Sequence, residues 1–290
     1  MAPVSQARRQ WLKALAAAAI FPLPVWASAV PTRTLRFALA VHNPSSQASA
    51  AQDVWLYAPL QSTNGWALQR LELPGASSPV IGADGQSRMH LPIAALPAGA
   101  TRMLSGRFVL QAMADAAPAS LPNPQRWLRA EPSIEVDAPA IIAAARALQQ
   151  PTPAATAAAI YAFVMQHIQY AGYVAEDLGA LYALQRASGD CSEYAFLAAA
   201  LARVNGLPAR VLGGFVCEGD AILKDVAYHN WAEVWLDGRW CVLDAQKGCP
   251  PDAVEQAKQY VGFHIYGSGE RNCNAECWRY GATSLTLRMV

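Results

Sequence analysis

Gly189-Asp190-Cys191-Ser192-Glu193-Tyr194-Ala195-Phe196, running on through an Ala/Leu block to Gly206-Leu207-Pro208, is the stretch from which the fold can be read. It has the signals of a helix at both ends. Asp190 is an N-cap residue with Glu193 three positions on, as in a capping box, while Gly206 stands where a C′ glycine belongs and Pro208 prevents continuation. From Ala195 to Ala202 no polar stripe interrupts the sequence, so the helix is expected to be buried on nearly all sides. A cysteine in its first turn feels the aligned peptide dipoles and unpaired N–H groups, which favour the nucleophilic thiolate. On this helix alone a buried structural cysteine fits equally well.

The chain has 290 residues, enough for two ordinary domains, and an apolar fraction of 53% excludes wholesale disorder. The formal net charge is +1 and the body contains no Lys/Arg-rich run, so no nucleic-acid partner is expected. Residues 1–29 read as a targeting segment. Arg8-Arg9-Gln10-Trp11-Leu12-Lys13 precedes an apolar run ending in Ala27-Ser28-Ala29, an A-x-A cleavage pattern, and the paired arginines resemble a twin-arginine export signal with Ala7 where Ser or Thr is usual. An uncleaved membrane anchor is the alternative, but Ala14–Ala29 is short for a span and interrupted by Pro22 and Pro24. Cleavage leaves 19 basic against 21 acidic residues and no membrane segment, so the mature protein is expected in the periplasm or secreted.

The six cysteines, at 191, 217, 241, 249, 273 and 277, would in an exported chain ordinarily form disulfides. With Cys191 kept as a thiol, at most two bridges are possible. Cys273-x3-Cys277 with Cys249 has no histidine at ligand spacing, so no metal is expected, and with no phosphate loop, haem motif or flavin fingerprint in the chain no cofactor is expected either.

From Thr34 apolar residues alternate at Leu35, Phe37, Leu39 and Val41, the mark of a half-buried strand. Extended runs at 54–60, 66–73, 88–93 and 106–112 follow, separated by Gly/Pro/Ser/Asn clusters, and suggest a small antiparallel sandwich over residues 30–130. An Ala/Pro-rich connection at 114–139 leads into a second domain, 131–290. There Asp137-Ala138-Pro139 opens a helix to about Gln149, Thr152-Pro153 opens another to about Ile168, and a short helix covers about 178–186. His167 falls among packing positions of the second helix. Past Pro208, 209–217 reads as a strand with a bulge or close backbone approach at Gly213-Gly214.

Asp237-Gly238 lies between Tyr228–Leu236 and Arg239–Asp244, a type I′ hairpin signal. If Leu236 pairs with Arg239, Trp231 stands opposite Asp244 and His229 is diagonal to it on the same face, roughly 7–8 Å away between backbone centres. One hydrogen bond closes that gap, fixing the histidine tautomer and leaving its other nitrogen to exchange a proton with a thiol. Cys241 points to the opposite face, which gives it a structural role. A one-residue slip would break the arrangement.

Gly189–Ala195, Gly-Leu-Pro-Ala-Arg at 206–210, His229-Asn-Trp-Ala-Glu-Val-Trp and Trp240-Cys-Val-Leu-Asp244 together resemble the core of bacterial transglutaminase-like cysteine proteins over about residues 131–250. The resemblance implies an α+β, papain-related fold in which a helix bearing the nucleophile packs on an antiparallel sheet that supplies His and Asp. It implies Cys191, His229 and Asp244 as a catalytic triad. Asn230 departs from the pattern, standing where Ala is common. The family includes proteases, amidases, deamidases, cross-linking acyltransferases and inactive members. The expected activity is therefore a thiol-dependent amide hydrolase acting through a thioester on peptides or proteins, including the peptide stems of the cell wall, with a transamidase and a non-catalytic scaffold as alternatives. The Cys191 N–H is the first oxyanion donor expected, and Tyr170, from the loop before the helix, is the candidate second.

Overall fold

In the computed structural model the described residues are 30–82, 85–114, 118–174, 176–267, 279–280 and 284–290. The export signal with its cleavage site, and Cys273 and Cys277, lie outside them. Five strands of six residues or more come first: β1 (Thr32–His42), β2 (Gln52–Tyr57), β3 (Trp66–Glu72), β4 (Ser87–Ile93) and β5 (Thr101–Ala112). β1 pairs antiparallel with β5 along its whole length and β5 with β3, while β2 pairs with β4 in a second sheet. The alternating apolar residues of both sheets, Leu35, Phe37, Leu39, Val54, Leu56, Met89, Leu91, Phe108 and Leu110, share one buried core. This is the sandwich expected from the alternation. β5 begins earlier than its pattern suggests because its first half alternates only between exposed and half-buried positions, held by backbone pairing to β1 rather than by burial.

Helices α1 (Pro139–Ala147), α2 (Pro153–His167), α3 (Ala180–Arg186) and α4 (Cys191–Val204) follow. α2 starts where Thr152 Oγ1 accepts the Ala155 N–H at 3.2 Å. His167 is a packing residue, stacked on Phe163 and bonded through Nε2 to the Leu184 carbonyl at 2.7 Å. α4 is the centre of this half: every residue from Ser192 to Arg203 is buried, and it packs against α1, α2 and α3 on one side and the central sheet on the other.

That sheet contains β6 (Ala209–Val216), β7 (Tyr228–Leu236), β8 (Arg239–Leu243) and, after the short α5 (Val254–Ala257), β9 (Tyr260–Ile265), in the order β8-β7-β6-β9 and antiparallel throughout. Its two faces go to different cores. Val211, Ala232, Val234, Cys241 and Leu243 face the helices, whereas Leu212, Trp231, Val242 and Tyr260 form a separate cluster with Leu60 and Trp127. Phe215 and Phe263 reach the core of the sandwich, where Phe263 meets Phe108 edge-on at 5.5 Å. The last strand, β10 (Thr286–Met289), returns to pair with β1. Strands before and after residue 130 thus share buried surface and hydrogen bonds.

Cys191, Cys217, Cys241 and Cys249 are free thiols. The disulfides expected of an exported chain do not form among these four, because Cys217 points into the sandwich core, Cys241 into the helix-side core and Cys249 into the third cluster. No described helix is long and apolar enough to cross a membrane.

Candidate active site

The start of α4 is built by a reciprocal cap. Asp190 Oδ1 accepts the Ser192 N–H at 2.8 Å, and Glu193 Oε2 accepts the Asp190 N–H at 3.0 Å. The other oxygens of the same carboxylates pin the preceding segment, Asp190 Oδ2 taking the Val174 N–H and Glu193 Oε1 the Leu178 N–H, each at 2.9 Å. Gly189 is required beneath this cap, since a Cβ there would stand 2.3 Å from that of Glu193. The expected capping roles of Asp190 and Glu193 are therefore observed, and both do more than cap.

The hairpin has the register counted from its turn. Asp237 and Gly238 both take positive φ (49° and 79°), as a type I′ turn demands, and Leu236 pairs with Arg239, Val234 with Cys241 and Ala232 with Leu243. His229 Nε2 and Asp244 Oδ2 are 2.6 Å apart in a buried environment. Asp244 is also cradled by the chain: Oδ1 accepts the N–H groups of Gln246 and Lys247 at 3.0 Å, and the Tyr260 hydroxyl donates to Oδ2 at 2.9 Å. Burial on its own would raise this carboxyl, but the bond and charge of His229, the Lys247 N–H and the Tyr260 hydroxyl outweigh it and hold Asp244 below the usual carboxylate range.

On the other side of β6 from β7, β9 comes equally close. A Cβ on Gly214, the partner of His229, would fall 2.1 Å from the Val261 carbonyl oxygen, and the pairing of β6 with β9 shifts register between Gly213 and Gly214. Both the bulge and the close approach expected at this glycine pair are present.

Cys191 is half-buried at the first position of α4, and its sulfur accepts the backbone N–H of Asn230, the residue after His229. This bond places the thiol beside the His229–Asp244 pair. The charge state differs from the expectation based on the helix dipole. Burial first, then the Asp190 carboxylate, push the Cys191 thiol up to about 12, with Asp244 and Glu193 adding to the rise and only the Asn230 N–H opposing it. The capping box that defines the helix start also surrounds the thiol with negative charge, so the resting sulfur keeps its proton until a base removes it.

Tyr170 pairs through its backbone with Gly189, two residues from Cys191, and its side chain is 58% exposed. Tyr173 follows at 63% exposure, so two open aromatic rings rim the segment beside the thiol. Sequence reasoning leaves out Tyr260 and the Ser192–Asn230 contact. Tyr260–Ile265, rich in aromatic and β-branched residues, signals a strand, but its neighbour in space, Asp244, is fixed only by the sheet.

Residues 142–245, which include Cys191, His229 and Asp244, match the family model of the transglutaminase-like superfamily. No curated protein sequence matches the chain. Among solved structures, a candidate cysteine protease from Cytophaga hutchinsonii is similar in fold at 15% identity, with 90% of each chain covered and a TM-score of 0.60. The periplasmic domain of TgpA from Pseudomonas aeruginosa is a more distant likeness at 19% identity, covering 78% of this chain and 92% of that one with a TM-score of 0.40. The mixed helix and antiparallel-sheet architecture, with an all-β region before it, agrees with the first of these, and residues 142–245 form a transglutaminase-like domain.

Proposed function

We propose that this chain is an exported thiol-dependent amide hydrolase of peptides or proteins, working through Cys191, His229 and Asp244. The observation that carries the reading is the 2.6 Å His229–Asp244 bond on the strand whose next residue donates its N–H to the Cys191 sulfur. His229 uses Nε2 for Asp244, which leaves Nδ1 as the base. As the Cys191 sulfur attacks the substrate carbonyl carbon, its proton passes to His229, and the tetrahedral intermediate collapses by expelling the amine, which takes that proton. Water then attacks the thioester, giving its proton to His229, and the acid leaves as the thiol is restored. A protonated resting thiol suits this sequence, because proton transfer accompanies attack instead of preceding it. At the first helical position the Cys191 N–H has no intrahelical acceptor and is one donor to the oxyanion, with the Tyr170 hydroxyl as the proposed second. The twin-arginine-like leader supports a periplasmic or secreted location.

Incubation of the protein with a glutamine-containing peptide and a labelled primary amine tests the reading. Hydrolysis yields the acid or cleaved peptide and no amine adduct, and Cys191→Ala abolishes it. An adduct as the main product would make the protein a transamidase instead, while no turnover at all, with a Cys191 no more reactive than a free thiol, would leave a scaffold on this fold.

A further inference from the structure

Ser192 follows Cys191, and its hydroxyl stands between two other side chains. It accepts from Asn230 Nδ2 at 2.9 Å and faces the Asp177 carboxylate, whose charged form it favours. Asn230 follows His229 and gives its backbone N–H to the Cys191 sulfur. A connected path therefore runs from Asp177 through Ser192 to Asn230, crossing from the helix start to the strand at the point where thiol and imidazole must meet. Ser192 and Asn230 are 7% and 8% exposed. Asp177 belongs to neither helix nor strand, but the segment carrying it is tied at both ends to α4, through Val174 N–H to Asp190 and Leu178 N–H to Glu193.

Two acceptors of this path, Asp177 Oδ2 and Asn230 Oδ1, are buried without a hydrogen-bond partner. Such atoms cost stability and call for a reason outside stability. Asn230 is also the position where the motif differs from its common form.

We propose that Asp177 is a positioning residue of the candidate active site: through Ser192 and Asn230 it locks the helix start carrying Cys191 to the strand carrying His229. The assignment rests on the roles proposed above for Cys191 and His229. The groups around this junction are Asp190, Cys191 and Glu193 on α4, Glu135 beneath the N–H groups of Ala180 and Leu181, the neighbouring Glu176, and His229 and Asp244 on the sheet. Acids predominate. Burial and then the Asp190 charge raise Asp177 to about 6, against the lowering effect of the nearby Ser192 hydroxyl. The carboxyl thus carries a proton on the mildly acidic side, where its second oxygen becomes a donor and its repulsion with Asp190 disappears. Asn at 177 imitates that protonated form; Ala removes the path.

The test is a double-mutant cycle on the full chain with two probes: iodoacetamide, read at Cys191 by peptide mass mapping, and turnover of a glutamine-containing peptide. Asp177→Ala and Ser192→Ala are each expected to lower kcat on the order of 10²-fold with KM within about threefold, because a small misplacement of reacting groups has that effect. Each also shifts the alkylation rate, and the double variant is no worse than either single one. Asp177→Asn and Ser192→Thr recover most of the rate, and Asp177→Asn erases the inflection near pH 6 in the Cys191 alkylation profile. Melting temperatures identify a variant that has merely failed to fold, in which case the Asn and Thr variants carry the test. Additive effects, or Asp177→Ala with wild-type alkylation and turnover, would overturn the proposal. Alkylation needs no substrate, so a non-additive cycle in a protein that hydrolyses nothing would sink the hydrolase reading while supporting the positioning one.

Discussion

At the scale of single residues, Asp190 both builds the helix start and opposes ionisation of the cysteine that follows it. Replacing it with Asn keeps a competent N-cap while removing the charge that contributes to the raised Cys191 pKa. Asp190→Asn is expected to speed iodoacetamide alkylation of Cys191 at pH 8 by roughly 3- to 10-fold, up to one unit of pKa, at a cost of about 1 kcal/mol for the lost bond from Val174. An unchanged rate would mean that burial alone raises the thiol. Tyr260 acts in the opposite sense on Asp244, which it helps to hold below its ordinary value. A depressed carboxyl stabilises the fold above its unfolded pKa and loses that contribution as the pH falls through the folded one. Tyr260→Phe is accordingly expected to lose roughly 1.5–3 kcal/mol at neutral pH, the usual range for a hydrogen bond to a charged group, and to unfold in acid at a higher pH than the wild type. Urea melts at pH 7 and an acid titration followed by circular dichroism measure both.

At the scale of elements, the β7–β8 hairpin decides whether His229 and Asp244 can meet. Because side chains alternate with period two, inserting one residue between Asp237 and Gly238 moves Asp244 to the helix side of the sheet or disrupts pairing. Gly238→Ala is a milder probe of the same turn. Its φ of 79° is unfavourable for an L side chain, and the added Cβ would stand 2.6 Å from that of Pro118. A loss of about 1–3 kcal/mol is expected from the strain, read as a lower melting temperature, with kcat reduced less than in the one-residue insertion. Equal activity in the insertion variant and the wild type would show that the hairpin register does not position the pair.

At the scale of the whole molecule, the phenyl rings of Phe37, Phe108, Phe263 and Phe215 run from the sandwich into the central sheet, with successive centroids 4.9, 5.5 and 5.3 Å apart. A core shared in this way couples the unfolding of its two sides. Phe263→Ala is expected to cost about 3–5 kcal/mol, as for other buried phenylalanines, and to lower a single calorimetric transition. Two separate transitions, only one of them shifted, would show that the halves unfold independently.

Every part of the candidate site that depends on neighbours along the chain is legible in the amino-acid order. Capping chemistry set the start of α4 at Cys191, alternation gave the sandwich strands, and the Asp237-Gly238 turn fixed the register that puts His229 diagonal to Asp244. These are local, since a cap spans three residues and a hairpin counts outward from its own turn. Tertiary structure decided the rest. It brought Tyr260 onto Asp244, drew Asp177 to Ser192 and Ser192 to Asn230, and returned the strand at 286–289 to β1, contacts between residues whose separation along the chain carries no periodic signal. It also reversed the charge expectation for Cys191. A helix N-terminus read alone favours the thiolate, but burial and the surrounding carboxylates, which raise the thiol, exist only in the folded chain.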